Sequence, residues 1–336
     1  MASSVYRGAI SMTGASEMIK FLPCVFYVLL PLCSGFAQMH SVSPISSPRY
    51  ASDDFDGDGT PEIVVGGRVG PFRAITAPLS TKRARVDLLK LEGNELTVLA
   101  IGPELNQVDD VAAGNLDGKL GVEIVAVGAG RLTILGWDGN HLLRLHDEQL
   151  PSDQTQRVET IDIDNDGVEE FVLTLYDIGD DGDTGVTSLN VYSWNGSLKQ
   201  LQSLVVRSHV GDIVVVKDAE PRLVLERGTG EEGGEALMIG LKKYQHREIW
   251  RGYITNRGQR ALNLATMETS GQLVVGATNG SVRLYQITES GLHFRGHGPS
   301  IGNAAMLLVH RKQGGISLIG GRVVGSQSVS VSPISF

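Results

Sequence analysis

From Gln38 to its end, this 336-residue sequence predicts an all-β fold built from repeated four-stranded units. Three observations carry that prediction. Acidic loops of one pattern recur, each running into a β-rich strand: DFDGDGTPEIVV from Asp54, NLDGKLGVEIVA from Asn115 and DIDNDGVEEFVL from Asp162. Downstream, pairs of short strands meet at tight turns near Gly93, Gly139, Gly196, His246 and Gly291, a period of about fifty residues. Apolar residues alternate or come in short runs between the 42 scattered glycines, with almost no helical periodicity. Units of four strands that bury their faces against neighbouring units predict a β-propeller of four-stranded antiparallel blades.

The first residues stand apart from that rhythm. Lys20 precedes the apolar stretch Phe21 to Leu32, and Gly35 and Ala37 place small side chains at signal-peptidase spacing. Residues 1–37 are therefore read as a secretory signal peptide, with Met18 an alternative start, and residues 38–336 as the propeller. The apolar stretch is shorter than the roughly 20 residues of a membrane-spanning helix, and no later segment is apolar enough to span. Both cysteines, Cys24 and Cys33, lie in the presequence, so the mature chain is expected to hold no disulfide and no cysteine metal site. The expected destination is secreted, periplasmic or extracellular.

Six units fit between Gln38 and Phe336, so six blades are expected, with seven the alternative. A seventh would need blades of about 43 residues, which the turn spacing disfavours. The last unit supplies three strands and no fourth, because the chain ends in SVSVSPISF. The mature N-terminal strand is expected to supply the missing outer strand and close the ring, removing an open edge. The hexapeptide SVSPIS occurs at both Ser41–Ser46 and Ser330–Ser335, and reads equally as pairing or as coincidence.

The acidic loops carry the chemistry. Aspartates at loop positions 1, 3 and 5 bring three carboxylates to one ion, glycine at 6 permits the sharp turn, and position 7 offers a carbonyl. In the first blade these are Asp54, Asp56, Asp58 and the Thr60 carbonyl, followed by Glu62. In the third they are Asp162, Asp164, Asp166 and the Val168 carbonyl, followed by Glu170. About two structural Ca2+ sites are expected from that match. An EF-hand is excluded, since its position 12 is Val65 or Leu173 and a strand follows. In the second blade the pattern becomes Asn115, Asp117 and Lys119, where the ammonium is expected to pair with Asp117 in place of an ion. The net charge of −9 suits a hard cation and speaks against nucleic acid as a partner.

On Asp54, Asp56, Asp58, Gly59 and Glu62, and on Asp162, Asp164, Asp166, Gly167 and Glu170, the chain resembles the FG-GAP and VCBS-type repeat propellers of integrin-like and bacterial exported proteins. The resemblance is specific in the first and third blades, weaker in the second, and rests on strand rhythm in the rest. The Phe-Gly and Gly-Ala-Pro signatures are missing, which points to the VCBS-like branch. The resemblance implies an exported calcium-binding recognition or cell-adhesion module for a protein or carbohydrate partner. Two other classes stay open: a calcium-dependent hydrolase or lyase acting on phosphate esters or polysaccharides, and a scaffold in an envelope assembly.

No catalytic constellation is visible. The eight histidines are scattered, without HExxH, and GxSxG is absent. GTGEEG, from Gly228, matches a dinucleotide fingerprint in letters only, because Glu231 and Glu232 would repel a pyrophosphate. Trp137, Trp194 and Trp250 are read as packing between blades, and Asn195 and Asn279 open glycosylation sequons that also read as turns. The loops between second and third strands are charged: Arg68, Arg73, Lys82, Arg83 and Arg85 in blade one, Asp177, Asp180, Asp181 and Asp183 in blade three, Glu231, Glu232 and Glu235 in blade four. Lying opposite the acidic loops, they are read as a polarised binding face, with ordinary solvated loops the alternative.

Overall fold

The computed structural model describes residues 37–38, 45–69, 83–92, 95–151, 156–177, 185–217, 220–228, 233–242, 245–259, 261–267, 271–277, 279–298, 304–312, 315–322 and 329–333. All regular structure among them is β. The chain opens with β1 (Ala37–Gln38). The first blade is β2 (Ile45–Asp53), β3 (Glu62–Val69), β4 (Ala84–Glu92) and β5 (Glu95–Ile101). The second is β6 (Asp110–Gly114), β7 (Glu123–Gly128), β8 (Arg131–Trp137) and β9 (Leu142–Gln149). The third is β10 (Gln156–Ile161), β11 (Glu170–Asp177), β12 (Val186–Trp194) and β13 (Leu198–Val206). The fourth is β14 (Val210–Val216), β15 (Arg222–Gly228), β16 (Gly234–Lys242) and β17 (Gln245–Tyr253). The fifth is β18 (Ala261–Met267), β19 (Gln272–Ala277), β20 (Val282–Thr288) and β21 (Gly291–His297). In each, the four strands pair antiparallel in chain order.

The end of the chain departs from that plan. β22 (Ala304–Lys312), β23 (Gly315–Arg322) and β24 (Val329–Pro333) form a sheet whose fourth strand is β1, in the order β1-β24-β23-β22. Blades contiguous in the chain therefore number five among the described residues, not six or seven. The last unit is short by one strand and takes it from the N-terminus, Ala37 pairing with Val331 and Gln38 with Ser330. The two SVSPIS copies do not pair with each other where described: Ser46 pairs with Arg68, and Ser330 with Gln38 and Gly320. Ser41 to Pro44 lie outside the described residues, as does the expected signal peptide except for Ala37.

First strands line an axis. β2 lies against β6, β6 against β10, β10 against β14, β14 against β18, β18 against β22, and β22 against β2. The cores lie between sheets, as the alternating strands require. Val64, Val86 and Leu88 of the first blade pack with Val111, Ile124 and Leu135 of the second. Val125 and Ile134 of the second meet Phe171 and Leu173 of the third. Val172 and Val191 of the third meet Ile213 and Leu225 of the fourth, and Val224 and Met238 of the fourth meet Leu273 and Val275 of the fifth. Each such side chain, fully buried, contributes about 1.5–3 kcal/mol.

In all five contiguous blades the register slips by a bulge between third and fourth strands, from Leu88/Leu89 in the first to Leu284/Tyr285 in the fifth. A bulge sharpens the twist where the strand turns outward to solvent. The tryptophans pack as expected. Trp137 meets Phe55 edge-on at 6.5 Å, Trp194 is buried between the second and third blades, and Trp250 lies on the core between the fourth and fifth.

Candidate metal-binding loops and the axial charge cluster

Each acidic loop joins the first strand of its blade to the second: residues 54–61 from β2 to β3, 115–122 from β6 to β7, and 162–169 from β10 to β11. Antiparallel pairing brings all three out at the same end of the strands. In every one the glutamate that opens the second strand reaches back to the loop. Phe55 N donates to Glu62 Oε2 at 3.0 Å, Leu116 N to Glu123 Oε2 at 2.9 Å, and Ile163 N to Glu170 Oε2 at 3.1 Å. All three glutamates are buried, and burial pushes each carboxyl above its ordinary range. Glu62 and Glu170, expected as ligands, are thus first of all loop anchors, each using one oxygen on the backbone.

The aspartates are placed by the backbone in the same way twice. Gly59 N donates to Asp54 Oδ2 at 2.8 Å, and Gly167 N to Asp162 Oδ2 at 3.0 Å. Thr60 N donates to Asp58 Oδ1 at 2.7 Å, and Val168 N to Asp166 Oδ1 at 2.8 Å. Gly59 and Gly167 stand at φ of +81° and +84°, the left-handed conformation that glycine adopts without steric cost. One oxygen from each of Asp54, Asp56 and Asp58 lies within 4.8 Å of the other two, and likewise for Asp162, Asp164 and Asp166. Such a set of hard oxygens matches the chemistry of calcium, which takes 6–8 of them.

Counter-charge separates the three loops. In the second, Lys119 Nζ lies 2.6 Å from Asp117 Oδ2, the pairing the sequence predicts. In the first, Lys90 on β4 reaches in, a contact the sequence reading missed. Its Nζ lies 2.8 Å from Asp56 Oδ2, 2.8 Å from Asp58 Oδ2 and 3.4 Å from Glu62 Oε1. Hydrogen bonds to Asp56 and Asp58 hold this ammonium above its ordinary pKa, and the same contact lowers Asp58. In the third, among the described residues, no lysine or arginine pairs with Asp162, Asp164 or Asp166. Among the described residues the third loop's three carboxylates have no side-chain cation beside them, whereas the first loop's are paired with Lys90.

A second cluster lies on the axis, assembled from four first strands. Arg49 of β2 lies 4.0 Å from Asp110 of β6 and 3.9 Å from Asp212 of β14, and Arg157 of β10 lies 3.8 Å from Asp212. The two aspartates also stitch blades together: Val158 N donates to Asp110 Oδ2 at 3.1 Å, and Leu264 N to Asp212 Oδ2 at 2.7 Å. Burial outweighs both arginines and raises Asp212 to about 6. Burial also raises Asp110, and pushes Glu159 of β10 well above the usual carboxylate range. The one signal in the sequence was an aspartate before the apolar runs at Val111 and Ile213, two repeat lengths apart.

Above this cluster, on the loop side, a cleft of about 390 Å³ is lined by Asp53, Asn115, Asp162, Glu169 and Lys217. Lys217 Nζ lies 2.8 Å from Glu169 Oε1. Burial raises the Glu169 carboxyl, and Lys217 partly offsets it. Gly114 packs against this carboxylate, where a Cβ would collide with Glu169 Oε2.

The polarised opposite face is less free than expected. Arg85 pairs with Asp87 at 2.9 Å, Arg83 with Glu104 at 3.2 Å, and Glu235 with Arg227 at 2.8 Å. Arg73, Lys82, Asp180, Asp181, Asp183, Glu231 and Glu232 lie outside the described residues. After Gly228 and the gap that follows it, the next described element is the strand β16, not a helix. Asn195 and Asn279 sit in tight turns, each side-chain oxygen accepting from the serine two residues on. Among the described residues no helix is long and apolar enough to cross a membrane.

No protein-family model matches the chain, and no curated protein matches it. Among solved structures it is similar to Sqt1 from Chaetomium thermophilum, at 12% identity and a TM-score of 0.46, over 84% of this chain and 82% of that one.

Proposed function

We propose that this protein is an exported, calcium-binding β-propeller that acts as a recognition or adhesion module for a protein or carbohydrate partner. In this reading the composite sheet serves as the sixth blade, and the residues ahead of Ala37, which pairs with Val331, direct export. The observation that carries the calcium reading is the third loop, where three aspartate oxygens lie within 4.8 Å of one another without a cationic partner among the described residues. Three anions that close repel unless a cation joins them. Calcium there would tie the start of β11 to the end of β10, holding the loop end of the third blade and the adjoining cleft in one shape. Recognition at that end of the ring would draw on Asp53, Glu169 and Lys217 in the cleft, a polar surface suited to hydroxyl or charged groups of a partner.

Melting in millimolar calcium and in chelator, on the wild type and Asp164→Asn, tests the metal reading. Calcium at a hundred times its Kd stabilises by about 2.7 kcal/mol, so the wild type should melt a few degrees higher in calcium. Asp164→Asn should lose most of that difference. Equal melting of the wild type in both buffers refutes the calcium reading. A glycan and peptide array probed in both buffers tests the partner class, and binding that ignores calcium would separate recognition from the metal.

A further inference from the structure

We infer that Lys90 is the resident cation of the first acidic loop, an internal ammonium that takes the place calcium would hold and leaves the third loop as the metal site. This rests on the calcium reading proposed above for the third loop. An ammonium has three donors and no acceptor, and Lys90 directs its charge at three carboxylates. Nζ stands 2.8 Å from Asp56 Oδ2, 2.8 Å from Asp58 Oδ2 and 3.4 Å from Glu62 Oε1. Glu62 is fully buried, and its Oε1 has no hydrogen-bond partner. The ammonium is therefore the charge that balances an oxygen otherwise left alone in the protein interior, where an unpaired anion is costly.

Strand register explains why, among the described residues of the three acidic loops, only the first meets a lysine from its third strand. Ile63 pairs with Leu89, so the next rung sets Glu62 beside Lys90. The same rung in the second blade sets Glu123 opposite Gly136. In the third blade Phe171 pairs with Tyr192, and the next rung sets Glu170 beside Ser193. The second loop compensates with Lys119 from within. The third has neither lysine. Two loops thus carry one ammonium of the chain's own among their carboxylates, and the third, among the described residues, carries none and is left for a dissolved cation.

A calcium ion and an ammonium cannot share the oxygens of Asp56 and Asp58, since like charges a few ångströms apart repel. Calcium can enter the first loop only by expelling Lys90. The first blade is therefore closed without metal, and the third responds to it.

Calorimetric titration of the whole protein with calcium chloride tests this. The wild type should bind one equivalent, Lys90→Met two, Asp164→Asn none, and the Lys90→Met/Asp164→Asn double variant one. Affinity at the first loop should rise at least tenfold when the ammonium is removed. Lys90→Gln, which keeps a polar group on the rung, repeats the measurement if Lys90→Met melts below the titration temperature. Two equivalent sites in the wild type, or no gain of a site in both Lys90 variants, would overturn the inference. A silent wild type with one site in Lys90→Met would sink the third-loop reading while leaving Lys90 in its role. Silence in both would end the two together.

Discussion

Asp212 is held between Arg49 and Arg157, yet burial carries its carboxyl up to about 6. A carboxyl that keeps its proton more tightly in the folded chain than in the unfolded one adds stability while it is protonated. That contribution is complete below the unfolded value near 4, is lost as pH rises towards about 6, and is absent above. Asp212→Asn removes this titration and keeps an oxygen for Leu264 N. The fall in Tm between pH 4 and pH 6 should be shallower in the variant than in the wild type. An unchanged slope would mean that the arginines set this carboxyl rather than burial. Asp110 and Glu159 are raised by burial as well and keep part of the slope in the same direction.

Strands and loops were legible to different degrees, and the reason is separation along the chain. Each acidic loop sets its own geometry within nine residues, through hydrogen bonds such as Phe55 N to Glu62 and Gly59 N to Asp54, so spacing alone revealed it. Turns at Gly139 and Gly196, at φ of +97° and +94°, marked the junctions of third and fourth strands for the same local reason. Lys90 was not legible, because it meets Asp56 from 34 residues away through a register that no spacing shows. The last sheet was legible as a deficit, three strands where four were needed, but its filler was legible only in part: β1 pairs Gln38 with Ser330 and also Ala37, read as the end of the signal peptide, with Val331. Removing β1 would leave β24 as an open edge. A chain beginning at Ser41 should melt lower than one beginning at Phe36, by about 2–4 °C if the pairing is worth near 1 kcal/mol. Equal melting and equal resistance to aggregation would show that β1 does not hold the sheet.

Across the whole molecule, the propeller was readable because its repeats each bury two faces against neighbours, which forces alternation such as Ile63 and Val65 on one side and Val64 on the other. The axial cluster was not, because Arg49, Asp110, Arg157 and Asp212 come from four blades and meet only when the ring is formed. Among the described residues, the same assembly sets a lysine against the first and second acidic loops and none against the third. The most direct test is a crystal structure grown in calcium, with anomalous difference density collected at long wavelength. A single strong peak among Asp162, Asp164 and Asp166, with Lys90 still between Asp56 and Asp58 and no peak there, is the predicted result. Density at the first loop with Lys90 expelled, or none at the third, would contradict it.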